Sequence, residues 1–181
     1  MLKVALTGPE SSGKTTLTLA LAKHFDVPPL LEYSRAFLDK LTRPYVEEDL
    51  VPIAKGQLAQ EMEVEKGDAP LYFCDTSLLV MRVWGLYKFG RSDDQIKEML
   101  LAHPADLYLL CRPDIAWAPD PLREHASIED REALFRLYKQ NLDEFQLPYG
   151  IVEGKGAARF TSALAHMQAH FPEWVSRSQR D

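Results

Sequence analysis

The chain has 181 residues, a hydrophobic fraction of 46% and a formal net charge of −6. This length fits one domain with a sizeable core, and the acidic balance argues against a nucleic-acid-binding surface. No apolar run approaches the ~18 residues that span a bilayer, which argues against a membrane protein. The basic residues at positions 177–180 are too few and too mixed to form a binding patch, and we expect this tail to fray.

The two cysteines, Cys74 and Cys111, each lie in a strand-like apolar run. A disulfide framework needs more cysteines in so small a chain, so we expect both to be reduced core thiols. The N-terminus leads directly into the first predicted strand without a signal-peptide pattern. These features predict a cytoplasmic protein.

Five short apolar runs predict β-strands at residues 2–7, 29–32, 71–75, 107–111 and 149–152. Helical patterns separate them at residues 15–25, 47–66, 77–89 and 92–101, then from Ser127 onwards, and at residues 157–170. Apolar strands that alternate with helices are typical of a parallel sheet covered on both faces. We therefore predict an α/β fold with three layers, α/β/α, around a five-stranded parallel sheet.

Two serines are predicted helix N-caps, Ser92 for the helix at 92–101 and Ser127 for the helix that follows it. Asp130 stands three residues after Ser127, at the capping-box position that glutamate or glutamine normally occupies. We therefore expect Ser127 and Asp130 to bond to each other at the start of that helix.

The first strand is followed by the pattern Gly-x-x-x-x-Gly-Lys-Thr at residues 8–15. A strand before it and a helix after it make this pattern a phosphate-binding P-loop, whose N–H groups cradle phosphate oxygens. Lys14 would reach the β- and γ-phosphates of ATP, and the Thr15 hydroxyl would bind Mg²⁺. The predicted nucleotide-binding residues are Gly8, Glu10, Ser11, Ser12, Gly13, Lys14, Thr15 and Thr16. A glycine and serine turn that only caps a helix would explain neither Lys14 nor this context.

Polar residues also lie at the carboxyl ends of the second and third predicted strands, which is where ligands bind in open α/β sheets. Asp75 is predicted to bind Mg²⁺, with capping of the next helix as a compatible alternative. Glu32 could accept the proton of a substrate hydroxyl or bond to a ribose diol. Arg35 could bind an anion, or it could form a surface pair with Glu32.

Residues 113–128, which we call the lid segment, follow the fourth strand and contain three prolines without a clear period. Such a segment is usually functional, and its position suits a mobile lid over bound nucleotide. Arg123 and Arg131 are candidates to stabilise a transferring phosphoryl group, and a solvated arginine is the alternative for each. Trp117 and Tyr33 could stack on a flat cationic ring or could be ordinary packing residues.

Four motifs together resemble the nicotinamide riboside kinase domain of bacterial NadR-type proteins. They are the P-loop with its extension to Leu17, Glu32-Tyr33-Ser34-Arg35, Asp75-Thr76, and a Trp-x-x-Asp-x-x-Arg pattern at residues 117–123 followed by Arg131. The resemblance extends over roughly residues 2–153. One P-loop domain over residues 1–181, with the lid segment inside it, is therefore expected.

The resemblance implies ATP-dependent phosphorylation of the ribose 5′-hydroxyl of nicotinamide riboside, which gives nicotinamide mononucleotide in NAD salvage. Asp75 or Glu32 would orient the attacking hydroxyl, and Arg123, with Arg131, would close over the transferring group. The expected substrate-binding residues are Glu32, Tyr33, Arg35, Asp75 and Trp117. Contact with the nicotinamide ring stays open among Tyr33, Trp84 and Trp117.

The same resemblance makes a homo-oligomer plausible. The chain has no His-x-Gly-His motif, so we expect no adenylyltransferase activity, and we expect no DNA-binding regulatory domain. Two other functions fit the motifs: a P-loop kinase for another nucleoside or small alcohol, and a regulatory NTP-binding ATPase.

Overall fold

A computed structural model describes residues 1–174, so the basic tail at 177–180 lies outside the described residues. Five parallel strands form one sheet in the order β2-β3-β1-β4-β5. Their bounds are β1 (Leu2–Thr7), β2 (Pro29–Leu30), β3 (Leu71–Asp75), β4 (Leu107–Cys111) and β5 (Tyr149–Val152). The predicted five-stranded parallel sheet is confirmed. Since Leu6 pairs with Asp75, the end of β3 lies beside the start of the P-loop.

The described part of the chain has seven α-helices, of which the first six lie between strands and the last follows β5: α1 (Lys14–His24), α2 (Tyr33–Leu38), α3 (Leu50–Val64), α4 (Leu78–Trp84), α5 (Asp94–Ala102), α6 (Ile128–Glu144) and α7 (Ala157–His170). A 3₁₀ turn at Glu47–Asp49 precedes α3, and a π-helix at Gly85–Phe89 extends α4. The predicted helix at 77–89 is therefore two helical types in sequence. No helix among residues 1–174 combines the length and apolar character that crossing a bilayer requires.

Alternate residues of the central strands enter two separate cores. Val4, Phe73 and Leu109 pack with α1 and α7 on one face of the sheet. Tyr72 and Tyr108 pack with α3, α4, α5 and α6 on the other face. Both faces of the sheet are thus covered, which explains why the strands are apolar along their whole length.

The two predicted N-caps differ in outcome. Ser127 caps α6, and its Oγ accepts a hydrogen bond from Asp130 N at 3.0 Å, as expected. The Asp130 carboxylate accepts from the Ser127 hydroxyl at 2.8 Å. Ser92 is wrong as a cap of α5: Asp93 takes that position and accepts from Gln95 N at 2.8 Å. A charged acceptor one residue later thus begins the helix.

Cys74 and Cys111 are both free and buried, as the sequence predicts. Burial raises the pKa of the Cys111 thiol to about 11 and raises that of Cys74 well above its usual value. Both side chains therefore stay protonated near neutral pH and act as small apolar groups in the core.

A series of hydrogen bonds between largely buried side chains links the start of β1 to the segment after β2. Lys3 Nζ donates to Glu61 at 2.7 Å and to the carbonyl oxygen of His103 at 2.8 Å. Glu61 accepts from the Gln57 amide at 3.1 Å, and Gln57 Oε1 accepts from Tyr33 N at 3.1 Å. These linked hydrogen bonds hold Tyr33, the first residue of α2, which directly follows Glu32.

Candidate active site

The P-loop occupies residues 8–15 between β1 and α1, and two glycines shape it. Gly8 has φ 128°, and a Cβ there would lie 2.6 Å from the carbonyl oxygen of Cys111, so a larger residue would collide with β4. Gly13 has φ 78° and is the N-cap of α1. The unpaired N–H groups at the start of α1 therefore lie at the loop, an arrangement that binds phosphate.

Lys14 lies across this loop. Its Nζ donates to the carbonyl oxygens of Gly8 at 3.0 Å and Pro9 at 2.8 Å. Pro9 O also accepts from Ser12 Oγ at 2.7 Å. The ammonium group is thus held at the centre of the phosphate-binding loop, where a positive charge can act on phosphate oxygens.

Thr15 and Asp75 meet beside the P-loop. The Thr15 hydroxyl donates to Asp75 Oδ2 at 2.5 Å, and Asp75 is only 2% exposed. Its other oxygen, Oδ1, is buried and has no hydrogen-bond partner among the described residues. A buried carboxylate oxygen without a partner costs free energy, and a bound cation would satisfy it.

The donor set of Thr15 and Asp75 fits Mg²⁺. This ion usually takes one or two carboxylates and hydroxyls from the protein and completes its shell with phosphate oxygens and water. Residues 1–174 contain no group of three or more His, Cys, Asp or Glu side chains that could enclose a metal. The chemistry of the pair therefore suits a metal ion that binds together with a nucleotide.

Glu32 ends the segment after β2 and is the N-cap residue of α2. Its Oε1 accepts from the Ser34 hydroxyl at 2.6 Å, and its Oε2 lies 3.6 Å from Arg35 Nε. Burial raises the pKa of Glu32, and the nearby Asp75 charge adds to that effect against the opposing influence of Ser34, Lys14 and Arg35. A carboxyl with a raised pKa is a better proton acceptor than an ordinary glutamate.

A cavity of about 330 Å³ joins these groups. Most of the predicted site residues line it, namely Gly8, Glu10, Ser11, Ser12, Gly13, Lys14, Thr15, Thr16, Glu32, Arg35 and Arg123. Asp75 lies next to the cavity, behind Thr15. Besides Asp75, three predicted residues are absent from the lining: Tyr33, Trp117 and Arg131.

Those three residues have other surroundings. The Tyr33 ring packs against Phe37 and against Gly56 of α3. Trp117 Nε1 donates weakly to Glu10 of the P-loop at 3.5 Å. Arg131 is 5% exposed and donates to the carbonyl oxygen of Ile115 at 3.1 Å, which places it beneath the lid segment.

The lid segment contacts the elements on both sides of the cavity. Asp120 accepts from Arg35 at 3.1 Å, which joins the second and fourth motifs of the sequence. Asp120 Oδ1 also accepts from Leu122 N at 3.0 Å. Arg123 donates from Nη1 to the carbonyl oxygen of Ala118 and lines the cavity. The lid segment therefore contributes an arginine to the cavity that the P-loop also lines.

A second part of the cavity lining, which we call the aromatic end, consists mainly of rings. Tyr45 and Trp84 have ring centroids 5.8 Å apart, and Tyr87 and His125 have centroids 5.0 Å apart. Tyr138 of α6 completes this aromatic end. Sequence reasoning named only Trp84 as a candidate. No motif marks the other rings, because they come from segments that only the fold brings together.

The positive side chains at the aromatic end are paired with carboxylates. Lys88 lies 2.7 Å from Glu124 and 3.7 Å from the centroid of the Tyr45 ring. Arg43 makes two hydrogen bonds to Asp49, at 2.7 and 2.8 Å. Burial alone would raise the pKa of Glu124, but hydrogen bonds from Lys88 and Tyr45 outweigh it and lower the value. This end of the cavity is therefore close to electrically neutral.

Comparison with known proteins supports the resemblance inferred from the four motifs. A family model described as an AAA domain matches residues 3–159. The trifunctional NAD biosynthesis/regulator protein NadR of Escherichia coli (strain K12) is 28% identical over 156 residues. The match covers 83% of this chain but only 38% of NadR, so the chain spans little more than a third of that relative.

Solved structures show the same architecture. The crystal structure of NadR in complex with NR has a TM-score of 0.75 at 21% identity, covering 93% of this chain and 50% of that one. Deoxyadenosine kinase from M. mycoides, with dCMP and dCDP bound, has a TM-score of 0.63 at 13% identity, covering 93% and 100%. At these identities the two structures show a shared fold. The chain belongs to the AAA domain family, is related in sequence to NadR, and shares its fold with NadR and with deoxyadenosine kinase.

Proposed function

We propose that this chain transfers the γ-phosphoryl group of ATP to the 5′-hydroxyl of nicotinamide riboside, giving nicotinamide mononucleotide and ADP. The main support is that a P-loop, a largely buried glutamate and an arginine line one cavity whose other end is aromatic. The relation to a NAD biosynthesis protein, and the solved complex of NadR with NR, support the choice of acceptor.

The phosphate end of the cavity binds ATP. The N–H groups of the P-loop and Lys14 hold the β- and γ-phosphates. Thr15 and Asp75 hold Mg²⁺, which supplies positive charge to the phosphate oxygens when it is bound. Arg123 stabilises the charge that spreads over the transferring group, and the lid segment excludes water.

Glu32 takes the proton of the 5′-hydroxyl. The hydroxyl oxygen forms a bond to the γ-phosphorus while the bond from that phosphorus to the bridging oxygen breaks, and ADP leaves with the electron pair. Glu32 suits this role better than Asp75, because Glu32 lines the cavity whereas Asp75 does not. Its raised pKa also favours proton acceptance.

The aromatic end holds the base of the acceptor. Flat rings such as Trp84 and Tyr87 bind a cationic pyridinium through dispersion and cation–π attraction. A cationic base needs surroundings without net positive charge. The pairing of Lys88 with Glu124, and of Arg43 with Asp49, provides such surroundings.

A second candidate is a kinase for another nucleoside. The fold shared with deoxyadenosine kinase favours it, since aromatic rings stack on any nucleobase. The same phosphate machinery would then serve a neutral acceptor.

A panel of acceptors distinguishes these functions. ADP release would be measured with nicotinamide riboside, adenosine, deoxyadenosine, thymidine and no acceptor, at fixed Mg-ATP. We expect the largest kcat/KM with nicotinamide riboside. A larger value with a neutral nucleoside would overturn the choice of acceptor, and strong turnover without any acceptor would identify an ATPase instead of a kinase.

A further inference from the structure

Glu10 occupies a position that the P-loop pattern leaves open to any residue, yet its side chain makes contacts outside the loop. Its Oε2 accepts from Glu124 N at 3.0 Å. Its Oε1 accepts from His125 N and, more weakly, from Trp117 Nε1 at 3.5 Å. The carboxylate of Glu10 thus accepts hydrogen bonds from three donors of the lid segment.

The two backbone donors follow Arg123 directly in the chain. On its other side, Arg123 N donates to the carbonyl oxygen of Asp120 at 3.0 Å, and Asp120 is paired with Arg35. The lid backbone is therefore held on both sides of Arg123, by Glu10 on one side and through Asp120 on the other. Hydrogen bonds to an ionised acceptor are stronger than neutral ones, so this anchor is a firm one.

Ser11, the next residue of the P-loop, fixes the guanidinium end of the same arginine. Ser11 Oγ accepts from Ala118 N at 3.0 Å, and the carbonyl oxygen of Ala118 accepts from Arg123 Nη1. Two neighbouring P-loop side chains thus act on Arg123 indirectly. Glu10 holds the backbone that follows it, and Ser11 holds Ala118, which accepts a hydrogen bond from its guanidinium.

From this geometry we propose that Glu10 is a positioning residue, which fastens the lid segment to the P-loop and so sets Arg123 over the transferring phosphoryl group. The proposal deepens the proposed function and rests on it for the role of Arg123. Glu10 acts through Arg123 and through the lid backbone, and it does not need to touch the nucleotide.

The test compares Glu10→Ala and Glu10→Gln with Arg123→Ala and the double variant. Glu63→Ala is the matched control, since Glu63 is 73% exposed and pairs only with Lys66 among the contacts described. Glu10→Ala should lower kcat about tenfold or more, in line with the loss of charged hydrogen bonds, with little change in acceptor KM. Glu10→Gln keeps one acceptor oxygen, so its kcat should lie between the kcat of Glu10→Ala and that of the unaltered protein. The double variant should be no slower than Arg123→Ala alone.

Full kcat in Glu10→Ala, or losses that multiply in the double variant, would overturn the positioning role and leave the proposed kinase function intact. If the unaltered protein phosphorylates none of the acceptors, the proposed function fails, and amide hydrogen exchange of residues 118–127 decides the lid attachment. Faster exchange in Glu10→Ala than in Glu63→Ala would support that attachment, and equal exchange would disprove it.

Discussion

The two ends of the cavity are built in different ways. The phosphate end is built around one continuous segment, residues 8–15, which supplies glycine geometry, backbone N–H groups and Lys14, while Asp75 and Arg123 add to it from elsewhere. The aromatic end is assembled from side chains of distant segments, including Tyr45, Trp84 and His125. A local motif can therefore define the phosphoryl donor, whereas recognition of the acceptor depends on tertiary packing.

Replacement of Lys14 should have the largest effect on kcat, and this effect should arise at the phosphate end of the cavity alone. We expect Lys14→Ala to lower kcat by about a hundredfold or more, because a fixed cation at the phosphates is lost. Steady-state kinetics with saturating acceptor would measure this. Lys66→Ala is the control, as Lys66 is 70% exposed in a surface pair. Equal activity of the two variants would contradict the assignment.

Arg123 comes next, since it belongs to the lid segment but acts at the phosphate end. Arg123→Ala should lower kcat by more than about tenfold, or ~1.4 kcal/mol of barrier, while the acceptor KM changes little. Arg91→Ala serves for comparison, because Arg91 is 77% exposed and bonds to Glu47. Full kcat in Arg123→Ala would remove the lid arginine from the mechanism.

The pH dependence tests Glu32, which lines the same cavity. A base must be deprotonated, and burial raises the pKa of Glu32, so kcat/KM should fall on the acid side at a higher pH than an ordinary glutamate allows. Arg35 opposes that rise, and Arg35→Gln should therefore move the acid limb to still higher pH. A limb that stays fixed in this variant would exclude Glu32 as the titrating group.

The smallest effect concerns charge at the aromatic end. Glu124→Gln leaves Lys88 without its carboxylate partner and should raise the KM for cationic nicotinamide riboside about two- to fivefold, as for a partly exposed charge. Weak turnover of a neutral nucleoside should be unaffected. The double variant Glu124→Gln/Lys88→Met should restore the original KM, which would show that the unpaired Lys88 charge causes the increase. A KM that stays raised in the double variant would refute this explanation.

Sequence reasoning succeeded where one local signal determines the structure. Four predicted strands have the observed bounds because both sheet faces are buried, while the second strand is shorter than expected and ends at Leu30. The short helix α2 was not predicted, since six residues give no clear apolar stripe. The π-helix after Trp84 has no periodic signal of its own.

The candidate site divides in the same way. The P-loop, Glu32 after β2 and Asp75 at the end of β3 were predicted from their positions in the chain. The partnership of Glu10 with the lid segment joins residues more than a hundred positions apart, and so does the contact between Ser11 and Ala118. No periodicity or motif encodes such contacts, because they depend on how the lid segment folds back over the P-loop.

The pairing of the lid segment with its surroundings through Arg35–Asp120 and Lys88–Glu124 has a practical consequence. Both ion pairs are partly exposed, so dissolved electrolyte weakens them, with a Debye length of about 8 Å at physiological ionic strength. We therefore predict that higher salt weakens the attachment of the lid segment, and that turnover changes with buffer composition at a constant temperature.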